Sequence, residues 1–217
     1  MPKLVDVSHQ ITNGMTTCPG LPEPNIQENT STPGTAHGHG DSTGRVSMVG
    51  ATGTYVEMPA HRYRDGADLA DLDLSRVADL PGVVVDATSA SQIGPEVFDG
   101  LDVHGRAVLV RTGWDRYWRT EAYGRPEHPY LTETAAKTLV DGGATLVGTD
   151  AVGVDDTSPA AEGARPALAV LLAAGIPVVS HLCLLDRLPE RGFTFFAVPA
   201  KVRGMAAFPV RAFARVD

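Results

Sequence analysis

Apolar residues in this chain fall mainly in short continuous runs. Gly82 to Asp86 (G-V-V-V-D), Ala107 to Val110, Ala144 to Val147 and Ile176 to Val179 are bounded by glycine or polar residues, the pattern of strands buried on both faces. Lys3 to Ser8 alternates instead, with Leu4, Asp6 and Ser8 set against Val5 and Val7, which predicts a half-buried strand. Arg45 to Gly50, with Val46, Met48 and Val49, reads as another, and Phe193 to Val198 and Phe208 to Phe213 supply two more. Helices are fewer. Thr132 to Val140 has Thr132 as its expected N-cap and Gly142-Gly143 as its stop. Gly163 to Ala174 is rich in Ala and Leu and tolerates Pro166 near its start, and Ser91 to Leu101 contains the helix-start signal Gly94-Pro95-Glu96. Strand and helix alternate in a βαβ-like rhythm, so the expectation is one mixed α/β domain over 1–217 with more strand than helix.

The exception is the stretch from His9 to about Ser42, rich in Gly, Pro, Thr, Ser and Asn. A structureless segment of that length inside one domain is uncommon unless it covers a site. It is expected to form a loop-rich arm over the pocket or at an oligomer interface.

Composition narrows the function classes. Of 217 residues, 43% are hydrophobic and 20% charged, ordinary values for a globular chain. The formal charge of −8 comes without any block of Lys or Arg, which argues against nucleic acid as a partner. No run approaches the roughly 18 apolar residues that a membrane span needs, and M-P-K-L-V-D lacks a signal-peptide core, so a cytoplasmic location is expected. Cys18 and Cys183 lie far apart with no C-x-x-C spacing, and free thiols follow.

The chemistry centres on Ala51 to His61, A-T-G-T-Y-V-E-M-P-A-H. This stretch resembles the H-x-G-T-H-x-D-x-P-x-H signature of the kynurenine formamidase-like cyclase family, keeping Gly53, Thr54, Pro59 and His61. The resemblance extends to G-T-D at Gly148 to Asp150, L-L-A-A-G-I-P-V-V from Leu171 to Val179 and F-P-V-R-A-F from Phe208. It implies an α/β swivelling β/β/α fold, with a mixed sheet or barrel-like core and flanking helices. In such relatives the first two His and the Asp bind a divalent metal and the last His moves protons. Here Ala51 and Tyr55 replace the two His, and Glu57 replaces the Asp. A second ligand set falls on Leu168 and Ser180. Metal sites need three or four N, O or S donors, and of these five positions only Glu57 offers a strong one. No metal and no cofactor are therefore expected, with a relocated site through His37, His39 or His181 as the alternative.

A metal-free pocket must find its acid, base and oxyanion donor among side chains and amides. His61 keeps the family position of the proton shuttle. Glu57 either orients it or acts as a base, with a salt bridge to Arg62 or Arg64 as the plain alternative. Tyr55 either donates to a developing oxyanion or fills the space left by the metal. Cys18, Asp150, Ser180 and His181 are expected to line the substrate pocket, with Cys18 and Ser180 also weighed as nucleophiles and Asp150 as a cap on strand-end amides. Trp114, Tyr117, Trp118, Tyr123 and Tyr130 cluster in sequence, as core, as an oligomer interface or as a substrate wall.

Three functions stay open. One is a metal-independent hydrolase of an amide, lactone or related carbonyl compound. Another is a lyase, isomerase or cyclase moving a proton beside a carbonyl, and the last is a non-catalytic binder. A small-molecule substrate and a homodimer or higher homo-oligomer are the expected partners.

Overall fold

A computed structural model describes residues 2–15, 20–30 and 42–216. Nine strands form one mixed, curled half-barrel: β1 (Lys3–Asp6), β4 (Tyr55–Glu57), β5 (Leu80–Asp86), β7 (Ala107–Arg111), β9 (Leu146–Thr149), β10 (Val178–Ser180), β11 (Phe193–Phe196), β12 (Ala207–Pro209) and β13 (Phe213–Val216). Their order is β1-β13-β11-β5-β7-β9-β10-β4-β12. Strands β5, β7, β9 and β10 run parallel, and antiparallel strands extend the sheet on either side. The parallel centre explains the continuous apolar runs. Side chains alternate between faces, so Leu109 and Leu146 enter one core while Val108, Val110 and Val147 enter the other.

That second core is closed by two helices, α1 (Glu133–Asp141) and α2 (Pro166–Ala173). Thr132 caps α1, its hydroxyl oxygen accepting from the Ala135 amide at 3.1 Å, and Ala135, Ala136 and Leu139 face inward. Helix α2 buries Ala167, Leu168, Leu171 and Leu172, consistent with its nearly polar-free sequence.

Several expected elements differ. Arg45 to Gly50 does not feed the central sheet. Its neighbourhood forms β3 (Ser42–Ser47), which pairs antiparallel with β2 (Asn25–Thr30) as a separate hairpin, so part of the expected structureless arm is ordered. Val46 is 53% exposed, and with Arg45 and Ser47 also exposed the segment offers no face to the core. Ser91 to Leu101 yields a four-residue 3-10 turn, Pro95–Phe98, that ends before Gly100, whose φ is +71°. It is flanked by the two-residue strand β6 (Gln92–Ile93), paired with β8 (Tyr130–Leu131). Phe208 to Phe213 is broken rather than continuous. Pro209 ends β12 because it lacks an amide to donate, the Val210 amide turns to the Thr54 carbonyl, and pairing resumes at Phe213 against β1 and β11.

Candidate active site

Strand β4 lies between β10 and β12, with Tyr55 opposite Ser180 and Glu57 opposite Val178. Val56 and Val179 belong to the core on the far face, whereas Val178 and Leu168 belong to the helix-side core. By the two-residue period, Tyr55, Glu57 and Ser180 share the helix side. The distant sequence positions Tyr55, Glu57, Leu168 and Ser180 thus converge on one region of the molecule.

Glu57 is 6% exposed. Its Oε2 lies 3.4 Å from Ser180 Oγ, which donates to it, and its Oε1 lies 3.5 Å from His61 Nε2. Burial pushes its carboxyl up to about 7, and the nearby Asp155 carboxylate adds to the effect, while the Ser180 hydroxyl and Arg165 oppose it. His61 moves the other way. Burial, with Arg62 nearby, lowers its pKa below the usual 6.5. The contact therefore joins a carboxylic acid that titrates near neutrality to an imidazole that is neutral there. Arg62 and Arg64, the plain partners expected for Glu57, do not make this contact.

His61 is held by backbone rather than by burial, its side chain being 42% exposed. Pro59–His61 is a 3-10 turn entered from extended Met58, and the His61 and Tyr63 amides donate to the Met58 and Pro59 carbonyls at 2.8 and 2.9 Å. A Cβ on Gly66 would stand 2.6 Å from the Pro59 carbonyl carbon, so the returning chain fits only a glycine. Tyr63 Oη donates to the Ala169 carbonyl at 2.9 Å, tying this turn to α2. Upstream, Gly53 adopts φ +63° against Ile11, and the Thr54 hydroxyl accepts from the His9 amide at 2.9 Å while donating to the His181 carbonyl. The glycine and threonine of the motif thus join the N-terminal strand's exit to the end of β10.

The remaining expected site residues are held in different ways. Asp150 is 1% exposed and both of its oxygens are occupied, by the Thr112 amide and hydroxyl and by the Gly113 amide at 2.8 Å. This is the expected amide-capping role, with Oδ1 accepting two hydrogen bonds and Oδ2 one. Burial nevertheless raises it to about 6. His181 is fully buried within an aromatic cluster, its ring edge-on to Tyr55, Trp118 and Tyr123 at 5.2, 5.5 and 5.5 Å. Cys18, His37 and His39 lie outside the described residues.

Sequence reasoning missed Asp155 and His9. Asp155 is 2% exposed and accepts from the Ala167 and Leu168 amides at 2.7 and 3.0 Å, anchoring the start of α2 and placing a second carboxylate near Glu57. Its signal was weak because twelve residues separate it from the first amide it caps. His9 stacks on Trp118 with ring centres 3.8 Å apart and 7° between planes. Only Trp118's place among the clustered aromatics hinted at it.

The donor set does not fit a metal of the kind the family signature implies. Leu168 offers a buried hydrocarbon and Ala51 a methyl group, and the Ser180 hydroxyl is spent on Glu57. Among the described residues no three His, Cys, Asp or Glu side chains gather closely enough to hold an ion.

Comparisons with known proteins agree with this fold. The family described as "Putative cyclase" matches residues 5–156. A kynurenine formamidase of Bacillus cereus is 25% identical over 216 residues, covering 97% of this chain and 96% of its own. A kynurenine formamidase of Salinibacter ruber is 33% identical over 177 residues, 79% of each chain. The solved structure of isatin hydrolase A from Labrenzia aggregata, bound to benzyl benzoate, superposes with a TM-score of 0.85 at 23% identity, covering 99% of this chain and 94% of that one. The chain belongs to the "Putative cyclase" family, as a hydrolase-like member whose relatives include kynurenine formamidases.

Proposed function

We propose that this protein hydrolyses a small-molecule amide, or a related carbonyl compound such as a lactone, without a metal, using Glu57 and His61 as a proton-moving pair. The observation that supports this most is the 3.5 Å contact between His61 Nε2 and a buried Glu57 held near pKa 7. Because Nε2 faces Glu57, Nδ1 is the nitrogen left for the substrate. His61 Nδ1 takes a proton from water as its oxygen bonds to the carbonyl carbon, and Nε2 passes a proton to the Glu57 carboxylate. When the carbon–nitrogen bond breaks, that proton returns through His61 to the leaving nitrogen. Ser180 steadies the carboxylate, and Tyr55, on the same face of β4, is assigned as donor to the oxyanion. A carboxyl near pKa 7 suits both halves of the cycle, since it takes and returns a proton at little cost at neutral pH.

The test is a screen of amides, lactones and cyclic imides against the parent and a His61→Gln variant. Turnover by both at equal rates would overturn the assignment. Metal content is checked separately. After dialysis, elemental analysis is expected to find far less than one zinc or manganese per chain, and a stoichiometric metal would refute the metal-free reading. A proton shift beside a carbonyl is the second reading, because the pair needs no activated water for it; it predicts solvent deuterium entering recovered substrate.

The assembly is proposed to be at least a dimer. The β2–β3 hairpin exposes Ile26 and Val46 directly opposite one another, 39% and 53% exposed, on an arm outside the main sheet. Light scattering is expected to give at least twice the 22.8 kDa chain mass, and a monomer at micromolar concentration would contradict this.

A further inference from the structure

Two buried imidazole nitrogens have no hydrogen-bond partner among the described residues, Nε2 of His9 and Nδ1 of His181. Chemistry assigns the second one. His181 Nε2 lies 2.9 Å from the Val152 carbonyl oxygen, which can only accept, so Nε2 holds the proton and Nδ1 is a bare lone pair. Burial keeps this ring neutral, with its pKa pulled down to about 3, and His9 and His128 nearby push the same way. His9 is also held neutral, at about 4, by burial and by Arg119. At neutral pH, therefore, Nδ1 of His181 asks for a donor that the described protein does not supply. Native proteins rarely leave such an atom unpaired, because burying it forfeits its hydrogen bond to water.

The surroundings restrict what can meet it. Trp118 lies flat on His9 and edge-on to His181, and Tyr123 stands edge-on to both Trp118 and His181. Ser180, the residue before His181, is hydrogen-bonded to Glu57. His9 also borders a cavity of about 610 Å³ whose lining includes Asp6, Gln10, Val210 and Arg211 but not His181, Trp118 or Tyr123, so His9 alone joins the cluster to that opening. The geometry points to a hydrogen-bond-accepting subsite, formed by His181 Nδ1 with His9 beside it and walled by Trp118 and Tyr123, that receives an N–H or O–H group of a small flat ligand. The inference rests on the reading of Glu57 and His61 as the reacting pair, to which this cluster is linked through Ser180 beside His181. The subsite then holds the part of the substrate that is not cleaved, and selects for a donor there.

Nitrogen NMR of the full chain labelled with ¹⁵N-histidine tests this with isatin and indole as probes, each compared with its N-methyl form at millimolar concentration. The N–H probes are expected to move the His181 Nδ1 resonance toward its hydrogen-bonded range while Nε2 stays in place. The N-methyl forms leave Nδ1 unmoved and bind at least about tenfold more weakly. His181→Asn, whose side chain tolerates the left-handed backbone present there at φ +59°, is expected to erase this preference. If that variant does not fold, His9→Phe keeps the stack on Trp118, removes the ring nitrogens and should reduce the preference. N–H and N-methyl probes that act alike, or an Nδ1 that no probe moves, would overturn the subsite. Repeating the titration in Glu57→Gln separates the two claims: a shift that persists there upholds the subsite even if hydrolysis by the pair is disproved.

Discussion

Replacing His61 with Gln is expected to lower kcat/KM by a hundred- to ten-thousandfold, the usual contribution of a positioned general acid/base, and to leave folding almost untouched. The structural reason is its exposure. With 42% of the side chain accessible and the turn held by Met58, Pro59 and Tyr63 backbone bonds, little packing is lost with the ring. A stability change within about 0.5 kcal/mol, or a melting temperature within about 2 °C of the parent, is the expected outcome. A variant that melts far lower would show that the ring supports the fold. One that melts like the parent and turns over at the parental rate would remove His61 from the mechanism.

Glu57→Gln is expected to raise stability above neutral pH while leaving only a small residual activity. The carboxyl titrates at about 4.5 unfolded and about 7 folded, so the folded state holds its proton more tightly. Below pH 4.5 both states are protonated and the group has no effect. Between 4.5 and 7 its ionisation increasingly destabilises the fold, and above 7 the cost is full, about 3 kcal/mol. Glutamine cannot ionise. The variant should therefore melt several degrees above the parent at pH 8, with the difference shrinking to nothing near pH 4.5. The rate profile should change with it. In the parent, kcat/KM rises through about pH 7 as Glu57 becomes able to accept a proton. The residual activity of the variant should rise at lower pH, where His61 alone loses its proton. Parallel melting curves for the two proteins from pH 5 to 8 would show that burial does not raise the Glu57 carboxyl. A double variant no slower than either single one would show that the two residues act as one unit.

Much of this site was legible because the motif's chemistry is local. Glu57 and His61 are four residues apart, Pro59 forces a turn between them, and no tertiary information is needed to bring them near one another. The same holds for Thr132 as a helix cap and for the parallel strands, whose apolar runs admit only burial on both faces. The hairpin was less legible. Its pairing depends on Asn25–Thr30 meeting Ser42–Ser47 across a polar stretch with no apolar alternation to announce a register.

The sequence by itself determined the family frame, the absence of metal-ligand types at Ala51, Tyr55, Leu168 and Ser180, and the presence of Glu57 and His61 as the pair proposed to move protons, since these depend only on which side chains exist. Tertiary structure decided what those side chains experience. Burial of Glu57 on the helix side of β4 raises its pKa, the Thr112 and Gly113 amides engage Asp150, and Asp155 caps the start of α2. The burial of His181 among Tyr55, Trp118 and Tyr123 arises from three separate segments meeting: β4, the loop between β7 and β8, and the end of β10. Burial and electrostatic fields sum over neighbours distant in the chain, and no local pattern of residues encodes that sum.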